Sequence, residues 1–274
     1  MKRFRRLAIV FVMLILACFM LPACAQESPS SGGEVIPPEE ENNGGEVVLD
    51  TFAFDKAHFE DKFVVVYGDS ITYGAGTSGP QYTWIHKLGT ELGFGYSNLS
   101  VSGAMLTYVA AVRDGRGSAA EYVVQNAAVN AVADCAFIFM GANDFTHGVS
   151  PDFPAAEPEQ MTDVASYAQG IRWMVKNLRA ANPDIEIIFF TPLYRDDVPV
   201  NGLGKRISAF GDVITSLAEE LVYYYVDLSD VFNSENLGAD SIYSADRLHP
   251  NDAGQQYLFE CILQKKITGY TVRK

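Results

Sequence analysis

The stretch Phe63-Val64-Val65-Val66-Tyr67-Gly68-Asp69-Ser70-Ile71-Thr72 predicts the start of an α/β fold. Its first half is a continuous β-branched and aromatic run, which is typical of a strand covered on both faces. Its second half is a turn of small and polar residues directly after the strand. Because ligands in open α/β sheets bind at the carboxyl ends of the strands, this turn is the first place to look for a functional site.

The rest of the chain repeats the alternation of strand and helix. Further apolar runs, the first of them weaker, lie at 96–101, 135–140, 185–190 and 222–226. Apolar residues recur at helical spacing at 83–92, 119–131, 164–178, 207–221 and 251–263. Strands that alternate with helices indicate βαβ units. The sequence therefore predicts a three-layer α/β/α sandwich with a mostly parallel, flavodoxin-like sheet of about five strands.

Short polar groups follow the predicted strands. Gly68-Asp69-Ser70 follows the first strand, Ser102-Gly103 follows the second, and Gly141-Ala142-Asn143-Asp144 follows the third. Asp246-Arg247-Leu248-His249 comes after the last one. Each group alone is weak evidence, because turns rich in Asp and Asn commonly serve as caps and bends. Their order, each beyond a strand, is the specific signal.

Together these groups resemble the SGNH (GDSL-type) hydrolase family over roughly residues 63 to 254. The four marked residues of the family correspond to Ser70, Gly103, Asn143 and His249, and Asp246 stands three positions before the histidine. The resemblance implies an α/β/α fold and hydrolysis of acyl esters through a covalent acyl-enzyme. The G-x-S-x-G motif of the α/β-hydrolases is absent from the sequence.

The residue types suit that chemistry. A serine hydroxyl becomes a good nucleophile when a base takes its proton, and His249 can do so for Ser70. Asp246 would hold the other ring nitrogen of the histidine. The backbone N–H groups of Ser70 and Gly103 and the side-chain amide of Asn143 supply three donors for an oxyanion. The expected site is therefore a triad of Ser70, Asp246 and His249 with this oxyanion hole.

Three further residues are candidates for lining the substrate cleft, namely Phe145, His147 and Tyr194. We expect no metal, because Asp69 and Asp144 lack a ligand spacing such as H-E-x-x-H and hydrogen bonds to nearby turns account for them better. We expect no cofactor, since the sequence contains no Gly-rich phosphate loop.

The N-terminal residues predict export. Basic residues precede an apolar run at 7–21, which is the layout of a signal sequence. The run ends at Leu21-Pro22-Ala23-Cys24, which resembles a bacterial lipobox, so residues 1–24 are the predicted signal and Cys24 the predicted lipid-attachment site. Lipidation at Cys18, ordinary cleavage near residue 23 or 25, and an uncleaved anchor remain alternatives.

Residues 25–50 are predicted to be a disordered acidic linker, because they hold seven acids, no base and many Gly, Ser and Pro residues. The esterase domain is then 51–274. Its two cysteines, Cys135 and Cys261, are interpreted as buried small residues.

Composition narrows the class of partner. The chain has 274 residues, 48% hydrophobic and 20% charged, which is ordinary globular usage. Thirty-four acids against twenty bases give a net charge of −14, which disfavours nucleic acid as a partner. An acidic body also disfavours adhesion to an anionic membrane, so membrane contact is expected only through a lipid anchor. The expected partner is a small-molecule or glycan ester, and the oligomeric state is left open.

The leading hypothesis is an exported serine esterase for short-acyl esters, with acetylated glycans preferred. A lipase, lysophospholipase or thioesterase of the same family is the main alternative, although no long apolar lid segment is visible in the sequence. A non-catalytic surface module that binds a glycan is the other alternative, because a fold does not entail an activity.

Overall fold

The computed structural model describes residues 45–151 and 156–273. The predicted signal sequence, most of the predicted linker, and both Cys18 and Cys24 lie outside the described residues. Among the residues described, none of the helices combines the length and the apolar character needed to cross a membrane.

The described residues contribute seven strands to one sheet. They are β1 (Glu46–Ala53), β2 (Phe63–Gly68), β3 (Gly95–Asn98), β4 (Cys135–Phe139), β5 (Glu186–Phe190), β6 (Tyr224–Val226) and β7 (Lys266–Arg273). Across the sheet their order is β1-β7-β6-β5-β4-β2-β3. The block from β3 to β6 is parallel, and β7 and β1 are antiparallel additions at one edge.

Helices connect these strands. They are α1 (Lys56–Phe59), α2 (Ser70–Tyr73), α3 (Trp84–Leu92), α4 (Tyr108–Arg113), α5 (Ala119–Gln125), α6 (Ala127–Asn130), α7 (Ala142–Thr146), α8 (Tyr167–Ala181), α9 (Ser208–Leu221) and α10 (Asp252–Gln264). Short 3-10 turns add Pro80–Tyr82 and Met161–Asp163. Each predicted helical segment therefore contains a helix, and the segment 119–131 is divided into two.

The three layers follow from the alternation of side chains along the central strands. Val65 and Tyr67 of β2 enter a core shared with α5, α8 and α9, whereas Val64 and Val66 enter the core shared with α3 and α10. All four side chains are buried. Both faces of the sheet are thus covered, and the predicted α/β/α sandwich is confirmed.

The expected strand number of five is corrected to seven. The five predicted strands form the parallel block, and the two extra strands pair along their whole length, from Glu46 opposite Arg273 to Ala53 opposite Lys266. Residues 46–50, assigned from sequence to the linker, are therefore part of the sheet. β1 is an edge strand with alternately exposed residues, so it lacks the continuous apolar run that marks the central strands.

The two cysteines of the domain are free thiols. Cys135 is fully buried in β4, and Cys261 is partly buried in α10. Burial raises the pKa of the Cys135 thiol well above its ordinary value, so this residue behaves as a small apolar side chain.

Candidate active site

Ser70 is the first residue of α2, immediately beyond the end of β2. Asp69 caps this helix, because its Oδ1 accepts a hydrogen bond from the Ile71 N–H at 3.0 Å. Gly74 ends the helix at φ +95°, in the left-handed region that favours glycine. The Ser70 N–H meets no acceptor among the described residues. The short helix thus places both the hydroxyl and the amide of Ser70 at the strand end.

His249 and Asp246 meet Ser70 at this point, although Ser70 and His249 are 179 residues apart in the chain. The Ser70 Oγ lies 2.8 Å from His249 Nε2, and His249 Nδ1 lies 2.6 Å from Asp246 Oδ2. Asp246 Oδ1 also accepts hydrogen bonds from the backbone N–H groups of His249 at 2.7 Å and Leu248 at 3.0 Å. One carboxylate therefore holds both the ring and the backbone of the histidine.

The pKa of Asp246 is lowered to about 2. Partial burial by itself would raise this pKa, but hydrogen bonds from the His249 backbone, the His249 ring and the Leu248 N–H together outweigh it. Asp246 is consequently ionised at any pH near neutrality, and it can orient an imidazole and stabilise its protonated form.

Gln255 joins the elements that carry the serine and the histidine. This side chain is fully buried in α10, which begins three residues after His249. Its Oε1 accepts a hydrogen bond from the Trp84 N–H, and its Nε2 donates to the Ile71 carbonyl, both at 2.9 Å. A single satisfied amide therefore fixes α2 and α3 against α10.

The segment that carries Gly103 is hydrogen-bonded both to the end of β2 and to α7. The Val101 N–H donates to the Gly68 carbonyl at 3.0 Å, and Asn143 Nδ2 donates to the Ala104 carbonyl at 3.0 Å. Gly103 adopts φ +81°, which favours glycine. Its N–H meets no acceptor among the described residues, and Asn143 has a second amide hydrogen. The predicted oxyanion donors are thus carried by segments that are hydrogen-bonded to one another.

Asp144 anchors α7 to the segment after Gly103. It is fully buried and accepts hydrogen bonds from the Leu106 N–H at 2.8 Å, the Thr107 N–H at 3.1 Å and the Thr107 hydroxyl at 2.9 Å. Asp69 is also buried, and burial raises its pKa to about 6 against the opposing effect of its backbone hydrogen bond. Both acids thus serve neighbouring turns, as the sequence analysis expected. In 45–151 and 156–273, no three Asp, Glu, His or Cys side chains are grouped to hold a metal ion.

Arg195 is a structural residue of the site that the sequence analysis missed. It follows β5 and is only 4% exposed. Its Nη1 donates to the Ala142 carbonyl at 3.0 Å and to the Thr146 hydroxyl at 2.9 Å, at the two ends of α7. Its Nε and Nη2 donate to the two oxygens of Asp197 at 2.7 and 2.6 Å. The available signal was its position beyond a strand end, next to Tyr194.

Phe145 does not line the cleft, which corrects the prediction. Its side chain is fully buried, with its ring centroid 5.9 Å from that of Phe210 in α9. The physical reason is the short turn of α7, which directs Ala142 and Phe145 inward at i and i+3 while Asn143 stays partly exposed. The aromatic ring therefore anchors the helix.

The other two candidates are partly exposed. The Tyr194 hydroxyl donates to Asp196 Oδ1 at 3.2 Å, and the ring borders a small cavity of about 120 Å³. His147 lies one turn beyond Asn143, and its Nδ1 is 3.3 Å from Asp114 Oδ2. Both therefore have carboxylate partners within the protein, and contact with substrate stays a prediction for each.

The arrangement has the parts that acyl transfer needs. A hydroxyl lies within hydrogen-bond reach of an imidazole, the imidazole is held by an ionised carboxylate, and free N–H donors lie nearby. The site stands at the carboxyl ends of parallel strands, where α/β sheets bind ligands. Fold and site together are those of a hydrolase of the three-layer α/β/α class.

The chain belongs to the GDSL-like Lipase/Acylhydrolase family, whose model matches residues 66–257. It is accordingly a carboxylic ester hydrolase. No curated protein matches the chain.

Solved structures share the fold. A protein from Lactobacillus plantarum is 22% identical with a TM-score of 0.61, and the match covers 76% of this chain and 96% of that one. Axe2, an acetylxylan esterase from Geobacillus stearothermophilus, is 22% identical with a TM-score of 0.52, over 75% of this chain and 94% of its own. A member of the lipolytic protein G-D-S-L family from Veillonella parvula is 21% identical with a TM-score of 0.52, over 74% and 96%.

Proposed function

We propose that this protein is an exported serine esterase that removes short acyl groups, acetyl above all, from a glycan through a covalent acyl-enzyme. The observation that carries the proposal is the continuous chain of contacts from Ser70 Oγ through His249 to Asp246, at 2.8 and 2.6 Å. Such a chain is the geometry by which a neutral hydroxyl is made nucleophilic.

In the proposed reaction, Ser70 Oγ attacks the ester carbonyl while His249 Nε2 takes its proton. The protonated ring then gives this proton to the departing alcohol, and an acyl-serine ester is left. Water attacks that ester by the same route: the ring takes a proton from the water and returns it to Ser70 Oγ as the Oγ–acyl bond breaks, so the acid and free Ser70 are released. Asp246, with its pKa of about 2, keeps the ring in one orientation throughout.

Each attack places negative charge on the carbonyl oxygen. The N–H groups of Ser70 and Gly103 and the second amide hydrogen of Asn143 are the proposed donors to that oxygen. One such donor typically contributes about 10²–10³ in rate. The held position of α7, fixed by Arg195 and Asp144, keeps the Asn143 donor in place before the substrate arrives.

A cleft beside α2, the helix that begins with Ser70, supports a carbohydrate substrate. The cleft measures about 410 Å³, and its lining includes the side chains of Tyr73, Thr77, Ser78, Asn98 and Ser100. Tyr73 is 61% exposed, which leaves an aromatic face open to a sugar ring. A similar fold in an acetylxylan esterase supports the same substrate class.

The proposed location is the outside of the cell envelope. A lipid at Cys24 would hold the protein, and the acidic stretch from residue 25 to β1 would act as a tether. We expect the chain to incorporate labelled palmitate. Cys24→Ala should abolish this incorporation, and Cys18→Ala should retain it. Loss only in Cys18→Ala would move the attachment site, and no incorporation in the unsubstituted chain would refute the anchor.

The function is tested with 4-nitrophenyl acetate, butyrate and octanoate on the full chain, with Ser70→Ala as the control. A fragment that begins at residue 51 would be unsuitable, because it lacks the first half of β1. We expect turnover that depends on Ser70 and falls steeply with acyl length, and release of acetate from acetylated xylan.

Three outcomes would contradict the proposal. Turnover that rises toward octanoate would favour the lipase alternative. Turnover that persists in Ser70→Ala would refute Ser70 as the nucleophile. A folded chain without any turnover of these esters or of acetylated xylan would refute the esterase proposal and support a binding module.

A further inference from the structure

Arg116 lies beside Gly103, on the edge of the proposed oxyanion hole. Its Nη1 is 3.0 Å from the position that a Cβ would take on Gly103. The Arg116 side chain is exposed, and none of the acceptors described in the structure contacts its guanidinium. An arginine with unused planar donors next to a reacting carbonyl suits a carboxylate or another oxyanion of a ligand.

The backbone that carries Arg116 is fixed to the segment of the oxyanion hole. The Met105 N–H donates to the Gly117 carbonyl at 3.0 Å, and the Ala119 N–H donates to the Met105 carbonyl at 2.8 Å. The Arg116 N–H itself donates to the Ala111 carbonyl at 2.7 Å. The side chain therefore extends from a held backbone, which lowers the cost of ordering it on a ligand.

The neighbouring acid is already engaged. Asp114 receives hydrogen bonds from Arg113, at 3.2 Å to each of its oxygens, and lies 3.3 Å from the His147 ring. Partial burial, followed by the charge of Arg116, lowers the pKa of His147, so the ring adds no charge near neutral pH. Asp114 is thus paired with Arg113 and not with Arg116, and the patch formed by Arg113, Asp114 and Arg116 carries one net positive charge.

The charge of this patch is opposite in sign to the net charge of the whole protein. The chain carries a net charge of −14, which repels anions in general. A local positive charge beside the proposed oxyanion hole opposes that repulsion where the substrate binds. The placement next to Gly103 connects it to the proposed chemistry.

We propose that Arg116 forms a subsite for a carboxylate on the alcohol part of the ester, so that the preferred substrates are acidic esters such as acetylated uronates. This inference rests on the proposed esterase function, in which the acyl group is acetyl and too small to carry the charge itself. Arg113 supplies the hydrogen bonds to Asp114, and Arg116 provides the contact with the ligand.

The test compares para- and meta-acetoxybenzoate with their uncharged methyl esters. Each pair differs by one carboxylate, and its intrinsic reactivities cancel when the ratio of kcat/KM is compared between variants. The variants are Arg116→Gln, Arg116→Lys and Arg116→Glu in the full chain. Arg273→Gln is the matched control, because this arginine lies at the end of β7 in the antiparallel edge of the sheet.

We expect Arg116→Gln to lower the charged-to-neutral ratio about threefold to tenfold, which is the range for a partly exposed charge-assisted pair. Arg116→Lys should restore part of the ratio, and Arg116→Glu should lower it below the Gln variant. Added salt should lower the ratio of the unsubstituted chain relative to that of Arg116→Gln, because salt screens the charge of Arg116. Arg273→Gln should keep the original ratio.

Binding to Ser70→Ala, followed by NMR titration, separates this inference from the proposed function. Tighter binding of acetoxybenzoate than of its methyl ester, lost when Arg116→Gln is added, supports the subsite even if no ester is turned over. Equal binding of the two ligands, or a ratio of kcat/KM that no Arg116 variant changes beyond the Arg273→Gln control, overturns the subsite while esterase activity stands.

Discussion

Replacing Asn143 by alanine tests the proposed oxyanion hole most directly. One Asn143 amide hydrogen is bonded to the Ala104 carbonyl at 3.0 Å, and the other is the proposed donor to the oxyanion. Loss of that donor should lower kcat by about 10²–10³, or about 2.7–4 kcal/mol of transition-state stabilisation. KM should change little, since the donor acts on charge that develops during the reaction.

The effect on stability should be much smaller. Alanine removes one partly buried hydrogen bond, which contributes about 1 kcal/mol to the free energy of unfolding. α7 keeps its other attachments, because Asp144 accepts three hydrogen bonds and Arg195 donates to both ends of the helix. Urea titration should therefore show a folded variant with a slightly lower midpoint.

Asn182→Ala is the matched control. Asn182 is also partly buried, and its Nδ2 donates to an alanine carbonyl, that of Ala133, at 2.8 Å. Its Oδ1 also accepts a hydrogen bond from the Asp184 N–H at 3.0 Å. It lies at the opposite, amino-terminal side of the sheet, just before β5. The control should therefore lose at least as much stability as Asn143→Ala, and only Asn143→Ala should lose kcat on 4-nitrophenyl acetate. A kcat for Asn143→Ala within threefold of the control would refute the assignment of Asn143 as an oxyanion donor.

Three other changes have defined outcomes. Asp246→Asn should lower kcat by about 10⁴, and His249→Ala by about 10⁶, because the aspartate orients the base without transferring the proton; equal losses would contradict this division. Asp69 has a pKa of about 6 in the folded protein against an ordinary 3.8, so stability should fall as pH rises through that window. Asn at position 69 can still cap the helix, so Asp69→Asn should remove this pH dependence in urea titrations and raise the free energy of unfolding by up to about 3 kcal/mol at pH 7. A pH dependence of stability that is unchanged in Asp69→Asn would contradict the assignment to Asp69. Arg195→Met should lower kcat about tenfold with KM nearly unchanged, and it should lower the free energy of unfolding by about 2 kcal/mol. Arg195→Lys should recover part of the kcat and part of the stability. Full activity in Arg195→Met would show that α7 keeps its position without Arg195.

Local patterns were sufficient for the parallel part of the fold. Central strands such as β2 and β4 are covered on both faces, so their sequences are continuous apolar runs that can be recognised without neighbours. β1 and β7 could not be recognised in the same way. Each is stabilised mainly by the other, over a register in which residue 46 lies opposite residue 273, and that pairing is a contact between the two ends of the domain.

The candidate site shows the same difference between residues that local sequence patterns identify and residues whose position depends on tertiary packing. Ser70, Gly103, Asn143, Asp246 and His249 could be named because each occupies a short polar motif after a strand, and chemistry restricts which residue types can stand there. Phe145 was misassigned because the direction of a side chain on a five-residue helix depends on how that helix packs. Its ring is fully buried against α9.

Sequence by itself determined the class of fold, the family and the five residues proposed for the chemistry, because strand periodicity and turn chemistry are local properties of the chain. Only the tertiary structure decided which groups support them. Gln255 and Arg195 contact, and Arg116 lies beside, residues between 13 and 184 positions away, and no spacing in the sequence marks them. Long-range contacts of this kind arise when the strand ends converge, so they exist only once the sheet has formed.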